Sequence, residues 1–491
     1  MERKTGLRMR WVVVILVIAA AAYGLLSQPP FRAAALTPPG PIVNELRETV
    51  SDANVVIVVA DATRADHVGC YGYPRETTPH IDQLAQSSVL FESHFSQTTE
   101  TKSSTSCLLT SQYADTNLAD GPRPLIPGTF TMEAGLKDAG LRTVLISSNL
   151  KASPLYGLGD DFDEAIWDRQ LEQMAKEGEQ RYIPSLAIRA FREWLDRNAD
   201  SRFFAYIHLL PPHYPYEQPD EMTALFEGLS PVGFEPGGVP YPETTPAPIP
   251  PTPPLPDWIN LYDANLRHAD ASIGEIEQLL IERGLFENTL FIVTSDHGEA
   301  FGEHGHVWHG RSAYDEVCHI PLLMRFPGGE FAGTRVGALT QSVDLLPTIF
   351  DLLVAIYPAE GIQGASLLPL LAGTSESVAD YVYCRGGGRP SKYLVRNHDY
   401  ALMLYSNGEW RALYDLKNDP KQRENVVASH RDIVDSMVGT FQDFASRQRR
   451  PPMDFLDPNA VMPPLPEVPE IEMSPEDRAR IDRIADIGYV R

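Results

Sequence analysis

Two short apolar segments, far apart in the chain, each end at side chains that can bind a metal ion. The segment at 55–60 is followed by Asp61, and the segment at 290–294 leads to Asp296 and His297. An unpaired carboxylate buried in a core costs several kcal/mol, so acids at the ends of buried strands need a cation or another partner. Two carboxylates and one imidazole suit a divalent cation such as Zn²⁺, Mn²⁺ or Ca²⁺, with one position left for a nucleophile or a substrate oxygen. The sequence therefore predicts a metal site at these three residues.

Histidines cluster just after this predicted site. His304, His306 and His309 follow His297 closely, in a chain that has 13 histidines. Such clustering rarely serves packing alone. His309 is favoured as a functional residue because it stands at the rim leading into the strand-like segment 320–324. His304 and His306 are as compatible with supporting or surface positions. A cation bound here could hold an anionic ester.

The elements that must carry these side chains alternate between strand and helix. Four segments have the length and composition of buried strands, and one long amphipathic pattern is helical. The strands are expected at 54–60, 142–147, 203–209 and 290–295, and the helix at 262–282. This alternation predicts an α/β fold with a largely parallel sheet. Such sheets bind ligands at their carboxyl edge, which would bring Asp61 and Asp296 together.

The overall charge opposes one class of partner. The formal net charge of the 491 residues is −25, which disfavours binding to a polyanion, so no nucleic-acid partner is expected. The four cysteines form no Cys-x-x-Cys pair and are too scattered for a disulfide framework. They do not fix the redox compartment, and the composition does not indicate the oligomeric state.

The N-terminus has the features of a targeting or anchoring segment. Residues 1–10 are basic, and residues 11–26 carry no charge. As a helix, this uncharged stretch would rise about 24 Å, slightly less than a bilayer core of about 30 Å. Both a signal anchor and a cleavable signal peptide at 11–27 are compatible with that length, and the anchor is favoured. We therefore expect a membrane-anchored, extracytoplasmic protein, periplasmic or at the cell surface, which would be secreted if the segment is cleaved.

Proline-rich stretches divide the rest of the chain. A spacer is expected at 28–50, a catalytic domain at 51–355, a smaller C-terminal unit at 356–445 and a surface-wrapping or mobile tail at 446–491. Within the catalytic domain, proline is too frequent at 231–257 for a helix or a central strand. This excursion is interpreted as a flexible loop or as a flap bordering the site.

Six motifs make the chain resemble the sulfatase branch of the alkaline phosphatase superfamily, from Asn54 to about Asn425. They lie at 61–72, 78–85, 108–113, 212–216, 295–299 and 413–420. Each is weak alone, but they follow one another in the family's order. The resemblance implies an alkaline-phosphatase-like three-layer α/β sandwich with a mostly parallel central sheet and a smaller C-terminal α+β subdomain.

The resemblance also indicates a nucleophile. Sulfatases carry a Cys-x-Pro-x-Arg segment, whose Cys becomes formylglycine, just before a Leu-Leu-Thr-Gly type turn. Counting back without gaps from Leu108 places Thr101 at the Cys position, and both the Pro and the Arg are missing. Cys107 does not fit the maturation signal. A threonine hydroxyl bound to a cation at a helix N-terminus can act as a nucleophile. Ser103 and Ser104 are the alternative nucleophiles. A purely structural role as a helix-capping residue is the alternative for Thr101.

The expected metal count follows from one missing acid. Sulfatases present two adjacent acids at the tip of the first strand, whereas Ala62 occupies the second place here. The remaining set is Asp61, Thr101, Asp296 and His297, which resembles the set of the one-metal relatives. One divalent ion of undetermined identity (Mn, Zn or Ca) is therefore expected, and a second is not.

Two histidines complete the expected site. The resemblance implies that His213 protonates the leaving group or contacts the anion, and an imidazole that titrates near neutrality suits general-acid work. His309 is expected to share this role. His208 is expected on the buried face of its strand, and Arg64 is expected to pair with Asp66 or with the anion.

These residues favour a metal-dependent hydrolase of phosphate esters that acts through Thr101 on an anionic ester substrate. Three alternatives stay open. They are a sulfatase that lacks formylglycine, a transferase of the phosphoethanolamine or glycerophosphate type, and an inactive binding module. The chain has at most one expected membrane span, whereas the related transferases usually have several, so hydrolysis is favoured over transfer.

Overall fold

The computed structural model describes residues 34–119, 124–126, 128–167, 183–230, 255–388, 391–408 and 411–449. The α-helices are α1 (Pro41–Val50), α2 (Pro79–Ala85), α3 (Thr101–Thr110), α4 (Ala114–Asn117), α5 (Met132–Asp138), α6 (Ile183–Asn198), α7 (Asp220–Ala224), α8 (Leu255–Glu282), α9 (Asp315–Cys318), α10 (Leu345–Leu352), α11 (Leu368–Leu371) and α12 (Arg431–Ser446). The strands of the large sheet are β1 (Asn54–Ala60), β2 (Val89–Phe95), β3 (Arg142–Ser147), β4 (Glu164–Trp167), β5 (Phe203–Leu209), β6 (Thr289–Thr294), β9 (Leu322–Arg325) and β10 (Arg335–Gln341). A short hairpin is formed by β7 (Ala300–Phe301) and β8 (Val307–Trp308), and a second sheet by β11 (Val382–Gly386), β12 (Lys392–Arg396), β13 (Tyr400–Tyr405) and β14 (Arg411–Asp415).

The large sheet has eight strands in the order β10-β2-β9-β6-β1-β5-β3-β4. β9 runs antiparallel to both of its neighbours, and every other pairing is parallel. The four strands expected from the sequence are β1, β3, β5 and β6, and the long helical pattern is part of α8. The structure confirms the α/β fold with a mostly parallel central sheet.

Helices cover both faces of this sheet because its central strands are apolar on both sides. In β1, Val55, Ile57 and Val59 face one core, which also contains residues of α1, α3, α5 and α10. The alternate residues Val56 and Val58 face the other core, which contains residues of α2, α6 and α8. Strands buried on both faces are expected in parallel sheets, where helical connections lie on each side. The result is the expected three-layer sandwich.

The C-terminal unit is a four-stranded antiparallel meander with one helix. The strands pair in the order β11-β12-β13-β14. One face packs on Tyr314, Val317 and Cys318 around α9, and the other face packs on α12. This is the smaller α+β unit implied by the resemblance, while the boundary at residue 356 stays a prediction.

The spacer expected at 28–50 is wrong for the described residues 34–50. Residues Pro41–Val50 form α1, and its Val43, Leu46 and Val50 are buried in the first core. Arg47 also donates a hydrogen bond of 2.6 Å from Nη2 to Asp351 Oδ1. Proline stands at the first turn of this helix, where its missing N–H costs nothing, so the proline that suggested a spacer instead starts a packed helix.

Several of the expected segments lie outside the described residues. These are the N-terminal segment up to residue 33, positions 231–254 of the proline-rich excursion and positions 450–491 of the tail. The last three positions of the expected excursion belong to α8 instead. Within the described ranges, none of the helices combines the length and the hydropathy needed to cross a bilayer.

Candidate metal and nucleophile site

The predicted metal residues meet at the carboxyl edge of the large sheet. β1 and β6 are parallel neighbours, with Val59 opposite Thr294. Asp61 therefore leaves β1 beside Asp296 and His297, which follow β6. All three side chains are buried, and they can place one ligand atom each within 4.8 Å of one another. The structure thus brings Asp61 together with Asp296 and His297, which lie more than 200 positions further along the chain.

The unsatisfied atoms of these residues point at one another. His297 Nε2 lies 3.7 Å from Asp61 Oδ1 and 3.5 Å from Asp296 Oδ2. Both oxygens are buried and lack a hydrogen-bond partner within the described part of the chain. His297 Nδ1 donates a hydrogen bond of 2.9 Å to Gly298 O, which leaves a lone pair on Nε2. Two orphaned carboxylate oxygens and one imidazole lone pair fit a divalent cation.

The turns that carry these ligands are tightly constrained. The backbone N–H groups of Ala62 and His297 donate to Asp296 Oδ1 at 3.2 and 3.0 Å, so only Oδ2 is left free. Ala62 has a φ of 60°, a left-handed conformation that is unusual for alanine. A Cβ at position 298 would approach Glu316 O to 2.2 Å, so only glycine fits after His297 without a shift of the turn.

Thr101 brings a hydroxyl to the same point. It is the first residue of α3 and is 2% exposed. Its Oγ1 lies 3.3 Å from His297 Nε2, at the helix end where the macrodipole favours negative charge. The hydroxyls of Ser103 and Ser104 instead donate to Ala119 O and Asp296 O. Of the three hydroxyl candidates, Thr101 alone faces the predicted ligands.

His213 and His309 form the outer side of this site. The His309 ring stacks on His297 with centroids 4.3 Å apart, and the His213 ring lies 4.8 Å from His309. Burial lowers the pKa of His309 well below its usual range, and the neighbouring His297 and His213 lower it further. Burial also lowers the pKa of His213, partly opposed by Asp61. Burial therefore favours the neutral form of both rings.

The pKa values of two carboxyl groups at the site, Asp61 and Glu299, are shifted in opposite directions. Burial alone would raise the pKa of Asp61, but its electrostatic interaction with His213 and its hydrogen bond with His208 outweigh burial and hold that pKa well below its usual range. Burial raises the pKa of Glu299 well above its usual range, and Asp61 adds to the effect. Glu299 Oε1 lies 3.2 Å from His309 Nδ1, so this pair can hold one proton between them.

The other histidines of the cluster have different environments. His304 is buried, with Nδ1 2.8 Å from Glu316 Oε1 and Nε2 3.0 Å from Gln422 O. Its ring stacks on Tyr314 at 3.8 Å, so it joins the catalytic and C-terminal units. His306 is partly exposed, and burial lowers its pKa to about 4. His304 thus has a structural position.

The guanidinium of Arg64 is hydrogen-bonded to other groups of the protein. Its Nε and Nη2 donate to the Asp66 carboxylate at 2.8 Å each, and its Nη1 donates to Glu303 Oε1 and to Glu299 O. Of the two predicted alternatives, the structure therefore places Arg64 in the pair with Asp66.

Two residues of the site have no role in the sequence-based prediction. His208 is buried on β5 as expected, but its Nε2 lies 3.2 Å from Asp61 Oδ2 and 3.8 Å from Asp296 Oδ2. Asn149, in the turn after β3, donates from Nδ2 to Asp61 Oδ2 and lies 3.4 Å from Thr101 Oγ1. His208 lies near the carboxyl end of β5, the neighbour of β1, and Asn149 follows β3, the neighbour of β5. The rule that ligands bind at the carboxyl edge of such a sheet marks both strand ends as candidates, but it does not show which strand lies beside β1.

Known proteins share this fold and part of the sequence. The chain is similar to the solved structure of the phosphonate monoester hydrolase of Agrobacterium radiobacter, with a TM-score of 0.68 and 20% identity over 80% of this chain and 95% of the other. It is 25% identical to an ulvan-active sulfatase of Formosa agariphila over 427 residues, 77% of this chain and 76% of that protein. It is also 33% identical to an N-acetylglucosamine-6-O-sulfatase of Bacteroides thetaiotaomicron over 177 residues, a match that spans 34% of this chain and 31% of that relative's length.

Family models define the class. The Sulfatase model matches residues 53–355, more than half of the chain, and the model described as N-sulphoglucosamine sulphohydrolase, C-terminal, matches residues 302–445. The chain therefore belongs to the sulfatase family of the alkaline phosphatase superfamily.

Proposed function

We propose that the protein is a metal-dependent hydrolase of phosphate esters in which Thr101 is the nucleophile. The observation that carries the proposal is the position of the Thr101 hydroxyl, 3.3 Å from His297 Nε2 and facing the same point as the orphaned oxygens of Asp61 and Asp296. A hydroxyl that only capped a helix would not need two unsatisfied carboxylates beside it.

The residues suggest a two-step reaction. Asp61, Asp296, His297 and the Thr101 oxygen would hold the metal ion, which when bound lowers the pKa of the hydroxyl and offsets charge on the ester. Thr101 Oγ1 then loses its proton to a neighbouring imidazole and attacks phosphorus, the bond to the alcohol breaks, and the leaving oxygen takes up a proton. Water next cleaves the phosphothreonine. His213 and His309, whose rings lie close to His297, would take up the proton of Thr101 and deliver one to the leaving oxygen.

Threonine chemistry favours phosphorus over sulfur. A formylglycine hydrate can expel sulfate by returning to the aldehyde, whereas a sulfated threonine has no such exit and needs direct attack by water. The similarity to a phosphonate monoester hydrolase supports the phosphorus assignment, although it concerns the fold alone. The names of the sequence relatives support sulfate-ester hydrolysis as the second candidate.

The test is a pair of threonine variants in the same helix. Thr101→Ala should abolish turnover, and Thr110→Ala, which removes an equally buried hydroxyl at the far end of α3, should retain it. Mass spectrometry after incubation with aryl phosphate, a phosphodiester and aryl sulfate should find a phosphoryl adduct on Thr101. If Thr101→Ala kept wild-type turnover, the assignment of Thr101 as the nucleophile would be refuted. A preference for aryl sulfate by orders of magnitude would establish the sulfatase alternative, and a wild type that binds no divalent metal would favour the binding module.

We also propose that the catalytic body lies outside the cytoplasm, anchored through residues 11–27. The support is the basic segment followed by an uncharged one. Full-length protein should stay in the membrane fraction after carbonate extraction, and a chain that begins at residue 34 should be soluble. Recovery of the full-length chain in the cytosol would contradict the proposal.

A further inference from the structure

Asp61 uses its two carboxylate oxygens differently. Oδ1 is buried without a hydrogen-bond partner in the described residues, and it faces His297. Oδ2 lies 3.2 Å from His208 Nε2 and accepts a hydrogen bond from Asn149 Nδ2. The protein thus holds one oxygen and leaves the other free for a cation.

The surroundings of His208 determine which ring nitrogen carries the hydrogen. Nε2 faces two acceptors, Asp61 Oδ2 at 3.2 Å and Asp296 Oδ2 at 3.8 Å, so this contact is attractive only if Nε2 is a donor. Nδ1 of a neutral ring is then an acceptor. Tyr206 Oη, 3.3 Å from Nδ1, supplies the matching hydrogen. A hydrogen-bonded chain therefore runs from Tyr206 through His208 to Asp61, wholly inside the protein.

We propose that His208, together with Asn149, is a positioning residue that fixes the Asp61 carboxylate so that Oδ1 alone binds the metal ion. Hydrogen bonds to a ligating carboxylate set its orientation, and their removal typically weakens metal affinity about 10- to 100-fold. The inference rests on the same metal site as the proposed function but not on the reaction that the site performs.

A second buried histidine shows that burial alone does not imply this role. His94 on β2 is also fully buried, and its Nδ1 lies 3.0 Å from Thr340 Oγ1. No carboxylate contact of His94 is found among the described residues. His94 is therefore a matched control for the loss of a buried strand imidazole.

The experiment measures metal affinity rather than turnover. Zn²⁺ and, separately, Mn²⁺ are titrated against a chromophoric chelator in the wild type and in His208→Leu, His208→Gln and His94→Leu, with folding checked by circular dichroism. Leucine removes the donor, whereas the glutamine amide can place an N–H near the original Nε2. We expect affinity to fall at least about 10-fold in His208→Leu, to stay within about 3-fold in His208→Gln and to be unchanged in His94→Leu.

The spectrum of the Co²⁺-loaded protein separates positioning from direct ligation. The visible absorption should be the same in the wild type and in His208→Gln, because the imidazole does not bind the ion. A changed spectrum in His208→Gln would overturn the positioning role, and so would wild-type Zn²⁺ affinity in folded His208→Leu. If His208→Leu does not fold, the test uses Asn149→Ala, which removes the second hydrogen-bond donor to Asp61. Unchanged Zn²⁺ affinity in Asn149→Ala would then overturn the proposal.

Failure of this inference differs from failure of the proposed function. A wild type that binds metal but hydrolyses no ester overturns the function and leaves the affinity series valid. A wild type that binds neither Zn²⁺ nor Mn²⁺ overturns the metal site and both proposals with it.

Discussion

Two buried polar clusters of this protein satisfy their atoms in opposite ways. Around Asp263 of α8, Oδ1 lies 2.8 Å from His67 Nδ1, and Oδ2 accepts from Tyr73 Oη at 2.7 Å and from Arg75 Nη1 at 2.6 Å. Around Asp61 and Asp296, one oxygen of each carboxylate has no partner in the described residues. Both clusters are buried. The difference teaches that a completed network serves the fold, whereas an incomplete one is arranged for a ligand.

The largest expected effect breaks the incomplete cluster. Asp296→Asn should lose its bound metal and lower turnover by about 1,000-fold or more, because it removes a ligand charge from the site. Thermal unfolding of the metal-free protein should not shift to lower temperature, since the lost oxygen has no partner in the described chain. Metal analysis, ester turnover and calorimetry test this. A variant that kept its metal would show that Asp296 is not a ligand.

The complementary change breaks the completed cluster. Asp263→Ala leaves His67, Tyr73 and Arg75 without their common acceptor and should lower the free energy of unfolding by about 3 kcal/mol or more. Affinity for metal should stay near that of the wild type in protein that is folded. Glu275→Ala, an exposed acid of the same helix, is the control. Denaturant unfolding and chelator competition measure the two effects, and a stable variant with weakened metal binding would reverse the comparison.

A third buried acid sharpens the distinction. Glu133 of α5 also has an unpartnered oxygen in the described residues, but burial raises its pKa from 4.5 to about 8, so it keeps its proton. Because the folded state holds this proton and the unfolded state does not, stability should fall as the pH rises from about 4.5 to about 8, by up to about 1.4 kcal/mol per pH unit.

Glu133→Gln should remove this contribution and make the protein more stable at pH 8 relative to the wild type. Urea unfolding of both proteins at pH 5, 6, 7 and 8 gives the two slopes. Identical slopes would show that Glu133 ionises normally. Glu133 would then not differ from Asp61 in its protonation.

The smallest expected effect acts through the backbone. Gly298→Ala would force a Cβ to within 2.2 Å of Glu316 O and shift the turn that orients His297. We expect metal affinity to fall about 10-fold, because the His297 imidazole would no longer be held in its orientation. The free energy of unfolding should fall by about 1–3 kcal/mol. Zn²⁺ titration and calorimetry measure both. Unchanged affinity would mean that the turn tolerates the shift without moving the imidazole.

The sequence predicts the sheet and the ligands well because both depend on local patterns. Apolar runs of strand length located β1, β3, β5 and β6, and the acids at two of their ends located Asp61 and Asp296. Interactions between elements that are distant in the chain could not be predicted from the sequence. The packing of α1 depends on Asp351, more than 300 positions away, and prolines alone indicated a spacer there.

The contacts of His208 show the same limit inside the site. Its burial follows from the strand pattern, but its approach to Asp61 depends on β5 being the neighbour of β1, which no local signal states. The prediction of Thr101 as the nucleophile likewise needed the resemblance to the family. Its neighbours Ser103 and Ser104 carry the same chemical group, and only the rotation of α3 distinguishes them.

The left-handed backbone at Ala62 has a consequence for redesign of the site. Alanine gains nothing from this conformation, whereas aspartate and asparagine adopt it more readily. The main chain next to Asp61 already has the conformation that a second polar residue would favour. The number of acids at this strand end is therefore set by a side chain rather than by the course of the backbone.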